Sequence, residues 1–159
     1  VRYNTGKVDW TYLPWDIKMI DKLVDVLNYY NLSNPGNLQK YLITRLIDKD
    51  VEHILGISLL LSQGDVGARE YVNWNLPWNA LQDVCRVFAF GAEKYARDNY
   101  KLAPGLPLES YIQSMWRHLV QYLRGEEVDI ESKLSHLSHL ACNCFMYLWT
   151  QKEYHNEKS

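Results

Sequence analysis

Cysteine, basic charge and long apolar runs are all scarce in this 159-residue chain, and each shortage excludes a class of protein. Three cysteines build no disulfide framework, and Cys142 and Cys144 stand two apart in a helical stretch, pointing to nearly opposite sides. A reducing, cytoplasmic compartment is the expectation. Seventeen Lys and Arg against nineteen Asp and Glu give a net charge of −2, so the electrostatic footprint of a nucleic-acid-binding protein is missing. The longest stretch without formal charge, residues 134–151, contains His136, His139, Asn143 and three serines or threonines. It reads as a buried helix and not as a membrane span. Residues 1–16 lack the apolar core of a signal peptide.

Strand-like alternation is equally rare, whereas apolar residues recur at helical spacing almost everywhere. The expectation is an all-α protein, a compact helical bundle in one domain over residues 1–159. Residues 16–30 place Ile17, Ile20, Leu23, Val24 and Leu27 on one face, and two further helices are expected at 37–49 and 50–62. The stretch 63–67 is a break. A helix beginning near Pro77 carries Leu81, Val84, Cys85 and Phe88 inward and runs to Tyr95 or beyond. After a Pro- and Gly-rich loop, a helix spans 108–124 and Gly125 stops it. Ser132 is the expected N-cap of the last helix, which ends near Lys152. Leu-Pro-Trp occurs twice, at 13–15 and 76–78, each time leading into a helix.

The last helix is the most informative element. Leu134, Leu137, Ala141, Phe145 and Leu148 form one apolar face, and His136, His139, Asn143, Tyr147 and Thr150 form the opposite stripe. A solvent-facing stripe carries Lys, Glu or Arg, and this one carries none, so it faces something buried and polar. The preceding helix repeats the theme, with Ile112, Trp116, Leu119 and Leu123 on one face and Tyr111, Ser114, His118 and Tyr122 on another. Three histidines can therefore converge.

Between these helices stand four carboxylates in six residues: Glu126, Glu127, Asp129 and Glu131. Such a group repels itself unless cations neutralise it. Oxygen-rich sites suit Mg²⁺ or Mn²⁺, which hold phosphate oxygens and activate water. Two plainer readings stand beside this one: paired core histidines and a solvated acidic loop. A zinc site from His118, His136 and His139, with Cys142 close by, is a third. Phosphate-loop, dinucleotide, Cys-x-x-Cys, His-Glu-x-x-His and His-Asp motifs are absent.

In this order, the residues resemble the phage and bacterial dATP/dGTP diphosphohydrolases, related in type to the MazG-like all-α nucleoside triphosphate pyrophosphohydrolases. The motifs are Arg-Tyr-Asn-x-Gly-Lys at 2–7, Phe-Gly-Ala-x-Lys-Tyr at 90–95 with Asn99, and Arg-His-Leu at 117–119. They continue with Gly-Glu-x-x-Asp-x-Glu-Ser at 125–132, His136-Leu-x-His139 and Asn143. Residues 17–75 are unmatched and read as a helical insertion, with 78–152 supplying the catalytic helices. The chain departs from the MazG-like pattern in one respect. Its only Glu-x-x-Asp is Glu126 to Asp129, and the long-helix position holds His136-x-x-His139.

The resemblance implies hydrolysis of purine deoxynucleoside triphosphates, dGTP or dATP with GTP as an allied substrate, to the monophosphate plus pyrophosphate in phage-type nucleotide metabolism. Glu126, Asp129 and Glu131 are then metal ligands or base, and His118, His136 and His139 are further ligands, orienters or proton carriers. Mg²⁺ or Mn²⁺ is the implied cofactor, ahead of Zn²⁺. Lys94 and Lys7 would cover phosphate oxygens. Asn4, Asn99 or Asn143 would bond a purine edge, and Tyr3, Tyr95 or a Trp would stack on it. A homo-oligomer in the host cytoplasm, with no membrane or nucleic-acid partner, completes the implication. A different metal-dependent phosphohydrolase, or a helical binding or inhibitor protein contacting its partner through residues 17–75, are the alternatives.

Overall fold

A computed structural model describes residues 6–33, 36–64 and 69–155. Its six helices are α1 (Ile17–Ser33), α2 (Leu38–Ile47), α3 (Val51–Gln63), α4 (Trp78–Lys94), α5 (Leu108–Leu123) and α6 (His136–Tyr154). Short 3₁₀ turns at Trp10–Tyr12 and Asn99–Lys101 precede α1 and α5. The described residues form no strand, only isolated bridges between Val72 and Asn75 and between Val128 and Ser135. The all-α expectation is met. Among the described residues no helix is long and apolar enough to cross a membrane.

Helix α6 is the centre of the bundle, packed on α3, α4 and α5, while α1 and α2 join it through α3. The sequence explains this arrangement. From Ile54 to Gln63, α3 carries no charge, and a helix that is apolar all round must be covered on every side. Val51, Ile54, Leu55, Ile57, Leu59 and Leu60 are all buried. Residues 17–75 thus contribute a core element, with α3 lying against the helix that carries two of the histidines. Gly56 lets α1 approach closely, since a Cβ there would lie 2.4 Å from Val26 Cγ1. Polar ties hold the outer helices. Asn37 caps α2 by accepting from the Lys40 amide at 3.1 Å, and Asn28 exchanges two 2.8 Å bonds with the backbone of Tyr71. Asp16 accepts from the Met19 amide and pairs with Lys152, joining the start of α1 to the end of α6.

Leu81, Val84, Cys85 and Phe88 of α4 are buried as expected. Both Leu-Pro-Trp copies sit at helix starts, and they bring Trp15 and Trp78 edge to face at 6.1 Å. Four details differ from the sequence expectations. Helix α1 continues past Tyr30 to Ser33, because Asn31 donates to the Arg69 carbonyl instead of capping its own helix. Ile17 is 61% exposed, since the inner face of α1 is set by Leu23, Val26, Leu27 and Tyr30. On α5 Met115 is fully buried along with the expected Leu119, whereas Leu123, at the last turn before the chain swings away, is 41% exposed. Finally, α6 begins at His136 and not after Ser132. Asp129 captures the Ser132 amide at 2.8 Å, and Lys133 takes a left-handed conformation that interrupts any helix. Ser135 caps α6 instead, accepting from Leu137.

Candidate active site

The connection between α5 and α6 is a hydrogen-bonded turn whose outer residues, Glu127, Ile130 and Glu131 among them, are exposed. Gly125, at φ +100°, closes α5 with its amide on the Tyr122 carbonyl. The chain then folds back on itself through Asp129 N to Leu134 O, Lys133 N to Asp129 O and His136 N to Glu127 O, all at 2.8–2.9 Å. This return brings the carboxylates against the first turn of α6. Glu126 Oε1 lies 2.7 Å from His136 Nε2, and Asp129 Oδ2 lies 3.8 Å from His139 Nε2.

Helix α5 brings the third histidine. His118 Nδ1 is 2.9 Å from His136 Nδ1, and the His118 ring stacks on His139 with centroids 4.5 Å apart and planes 9° from parallel. His139 Nε2 also meets Ser132 Oγ at 2.6 Å. The histidine convergence expected from the two polar stripes is therefore present, and the stripe on α6 is buried at His136, Asn143, Tyr147 and Thr150. Burial, reinforced by His139 and His136, pushes His118 down to about 4, and burial likewise lowers His139. Both rings are neutral near pH 7. Burial works to raise the Asp129 carboxyl, but the Ser132 amide and hydroxyl and the rings of His139 and His118 together hold it below the ordinary carboxylate range. His118, Asp129 and His136 each offer one ligand atom, and these atoms lie within 4.8 Å of one another.

The group opens onto a cleft of about 700 Å³ between α4, α5 and α6. Its polar end is lined by His118, Asp129, Glu131, His139, Lys94 and Arg117. Lys94 Nζ lies 3.1 Å from Glu131 Oε2 and over the rings of Phe90 and Tyr95, and the Glu131 bond raises its pKa. At the other end the walls are aromatic. Tyr12 stacks on Phe88 at 6.0 Å, Arg97 lies 4.0 Å above Tyr12, and Tyr100 meets Phe88 at 5.9 Å. Tyr95, Asn99 and Asn143 line the space between, with Asn143 Nδ2 donating to the His139 carbonyl at 3.0 Å.

Most sequence candidates thus meet in one place. Lys94, Tyr95, Asn99, Asn143, His118, Asp129, Glu131 and His139 line the cleft, while His136 and Glu126 stand behind it as a hydrogen-bonded pair. Lys7 is exposed and is not part of the cleft wall. Tyr3 and Asn4 lie outside the described residues. Sequence reasoning passed over Arg117, Tyr12 and Ser132. Arg117 stands beside His118 in the Arg-His-Leu motif, a signal that was available, whereas Tyr12 comes from a distant part of the chain. Cys142 also lines the cleft, but burial pushes its thiol up, and it is not among the converging ligand atoms.

Comparison with known proteins adds two findings. The sequence profile described as "dATP/dGTP diphosphohydrolase, N-terminal" matches residues 62–159, more than half of the chain and all of the described histidine and carboxylate cluster. A dATP/dGTP diphosphohydrolase of Salmonella phage PMBT28 is 31% identical over 68 residues, 43% of this chain and 22% of that protein. The match therefore spans about a fifth of the relative's length. No solved structure matches.

Proposed function

The chain belongs to the dATP/dGTP diphosphohydrolase family, and on that premise we propose that it hydrolyses purine deoxynucleoside triphosphates, dGTP and dATP with GTP as an allied substrate, to the monophosphate and pyrophosphate, using a divalent metal ion. The observation that carries the proposal is the meeting of two imidazoles, two carboxylates and two cations at one end of a cleft, with the His136 imidazole behind them and aromatic walls at the other end. A triphosphate needs the first kind of surface and a purine the second.

The residues fit a metal. Asp129 is held ionised by its bonds to Ser132, and the neutral imidazoles present lone pairs. Asp129, His118, His136 and His139 would hold it, with Glu126 fixing His136 from behind. When bound, a divalent ion offsets triphosphate charge and makes a nearby water more acidic. Everything else falls to the chain. Lys94 and Arg117 bind phosphate oxygens, Lys94 exchanging its contact with Glu131 for a contact with substrate. Glu131, released from Lys94 and 62% exposed, would take the proton of the attacking water. Ser132 orients His139, and the stack of His118 on His139 holds the two rings parallel to each other. Phe88 and Tyr95 would meet the purine, and Asn99 and Asn143 would supply its hydrogen-bond partners.

The setting that fits the phage relative is nucleotide metabolism in an infected host's cytoplasm. Assembly into a homo-oligomer would cover the exposed Tyr29, Leu32, Ile43 and Ile47 of α1 and α2, and light scattering tests it. The activity is tested by incubating the protein with each ribo- and deoxynucleoside triphosphate under Mg²⁺, Mn²⁺ or EDTA and separating the products. Monophosphate plus pyrophosphate, favouring purines and abolished by EDTA, is the expected result. Triphosphate plus nucleoside, orthophosphate alone, or no turnover with any pair overturns it.

A further inference from the structure

We infer that His118, Asp129 and His136 form the ion-binding face of this site, and that it takes a first-row transition ion of the Mn²⁺, Fe²⁺ or Co²⁺ type in preference to Mg²⁺. The inference rests on the metal requirement proposed above for its place in catalysis, but its test reads ion binding alone.

The first argument is the donor set. Glu126 Oε1 lies 2.7 Å from His136 Nε2, and a carboxylate only accepts, so that nitrogen carries the ring proton and Nδ1 turns its lone pair inward. Opposite it, 2.9 Å away, stands His118 Nδ1. Asp129 adds a carboxylate oxygen, bringing all three ligand atoms within 4.8 Å. The group holds more lone pairs than protons. The single His118 N–H can satisfy His136 Nδ1 or Asp129, not both, whereas one cation satisfies all three.

The second argument is geometric. Two ligands about 2.1 Å from an ion lie about 3.0 Å apart at a right angle and about 3.4 Å apart at the tetrahedral angle. The 2.9 Å between the two Nδ1 atoms is close to the separation of adjacent corners of an octahedron. Chemistry selects among octahedral ions. Mg²⁺ takes oxygen ligands and gives up water reluctantly, whereas two imidazoles and one carboxylate on one face suit Mn²⁺, Fe²⁺ and Co²⁺.

The test uses Co²⁺ as the probe, without nucleotide, on protein stripped with EDTA and dialysed. Calorimetry and the visible absorption of Co²⁺ report binding, alone and against about a hundredfold excess of Mg²⁺. Binding that survives the Mg²⁺ excess is expected, with His118→Asn lowering affinity at least about tenfold and Glu126→Gln, acting only through His136, lowering it about 10- to 100-fold. The Glu126 side chain is 41% exposed, so Glu126→Gln leaves the fold intact by circular dichroism. Co²⁺ binding no tighter than Mg²⁺, or wild-type affinity in both variants, overturns the inference. A protein that binds Co²⁺ as expected yet hydrolyses no nucleotide refutes the proposed function instead, and one that turns over nucleotide with Mg²⁺ while ignoring Co²⁺ refutes only the inference.

Discussion

Replacing Gly56 by alanine tests whether the packing of α1 on α3 supports the central helix as described. The new Cβ would sit 2.4 Å from Val26 Cγ1, against an ordinary carbon contact of about 3.5–4.0 Å. Val26 is 3% exposed, and a β-branched side chain in a helix has essentially one rotamer, so the methyl group has nowhere to turn. The helices must separate by about 1 Å or Val26 must leave its rotamer, and overpacking of this kind costs about 1–3 kcal/mol. Alanine's better helix propensity returns about 1 kcal/mol. The net expectation is a loss of about 0–2 kcal/mol, or up to about 8 °C in Tm for a chain of this size, so the coupling to Val26 is the sharper readout. Thermal and urea unfolding measure it. Adding Val26→Ala removes the clashing methyl, so the double variant should be at least about 1 kcal/mol more stable than the sum of the single effects. Strict additivity in the cycle, with no coupling between positions 56 and 26, would refute the reasoning.

Three other outcomes are expected. Tyr30, 1% exposed, has its hydroxyl 2.6 Å from His53 Nδ1 and accepts from Arg45 Nε at 2.7 Å; Tyr30→Phe strands both partners and should cost about 1–3 kcal/mol in urea unfolding, and an unchanged midpoint would contradict that network. In metal-free protein, burial pushes His118 down to about 4 in the fold, against the ordinary imidazole value of 6.5 in the unfolded chain. Between those values the unfolded chain binds the proton and the native state does not, so stability is intact above pH 6.5 and declines as pH falls toward 4. His118→Asn should flatten that decline in Tm, and a slope equal to wild type would count against it. Lys94→Ala, at an exposed position, should leave the fold intact and raise KM for dGTP about tenfold if Lys94 meets phosphate; steady-state kinetics with unchanged KM and kcat would remove Lys94 from the site.

Much of this was legible in residue order, because burial leaves a periodic signature. The lack of charge on the α6 stripe announced a buried polar face, and His136, Asn143, Tyr147 and Thr150 are buried. Less legible was anything set by contacts between distant residues. Ser132 looks like a helix cap by local chemistry, yet it serves Asp129 and His139 because the turn returns the chain onto α6. Leu123 and Met115 carry the same apolar signal, and only the path of the chain after α5 decides that Leu123 is exposed and Met115 buried.

Local chemistry and periodicity therefore determined the helical class, the approximate span of each helix and the residue types available for phosphate chemistry, since these depend on neighbours within a turn or two. Tertiary structure decided which candidates meet. It joined His118 on α5 to His136 and His139 on α6, set Tyr12 against Phe88 to build the aromatic end, and left Lys7 off the cleft wall. The physical reason is that a distance between side chains 18 or 76 positions apart is fixed by how helices pack, and helix packing is the sum of many apolar contacts that no single stretch of sequence contains.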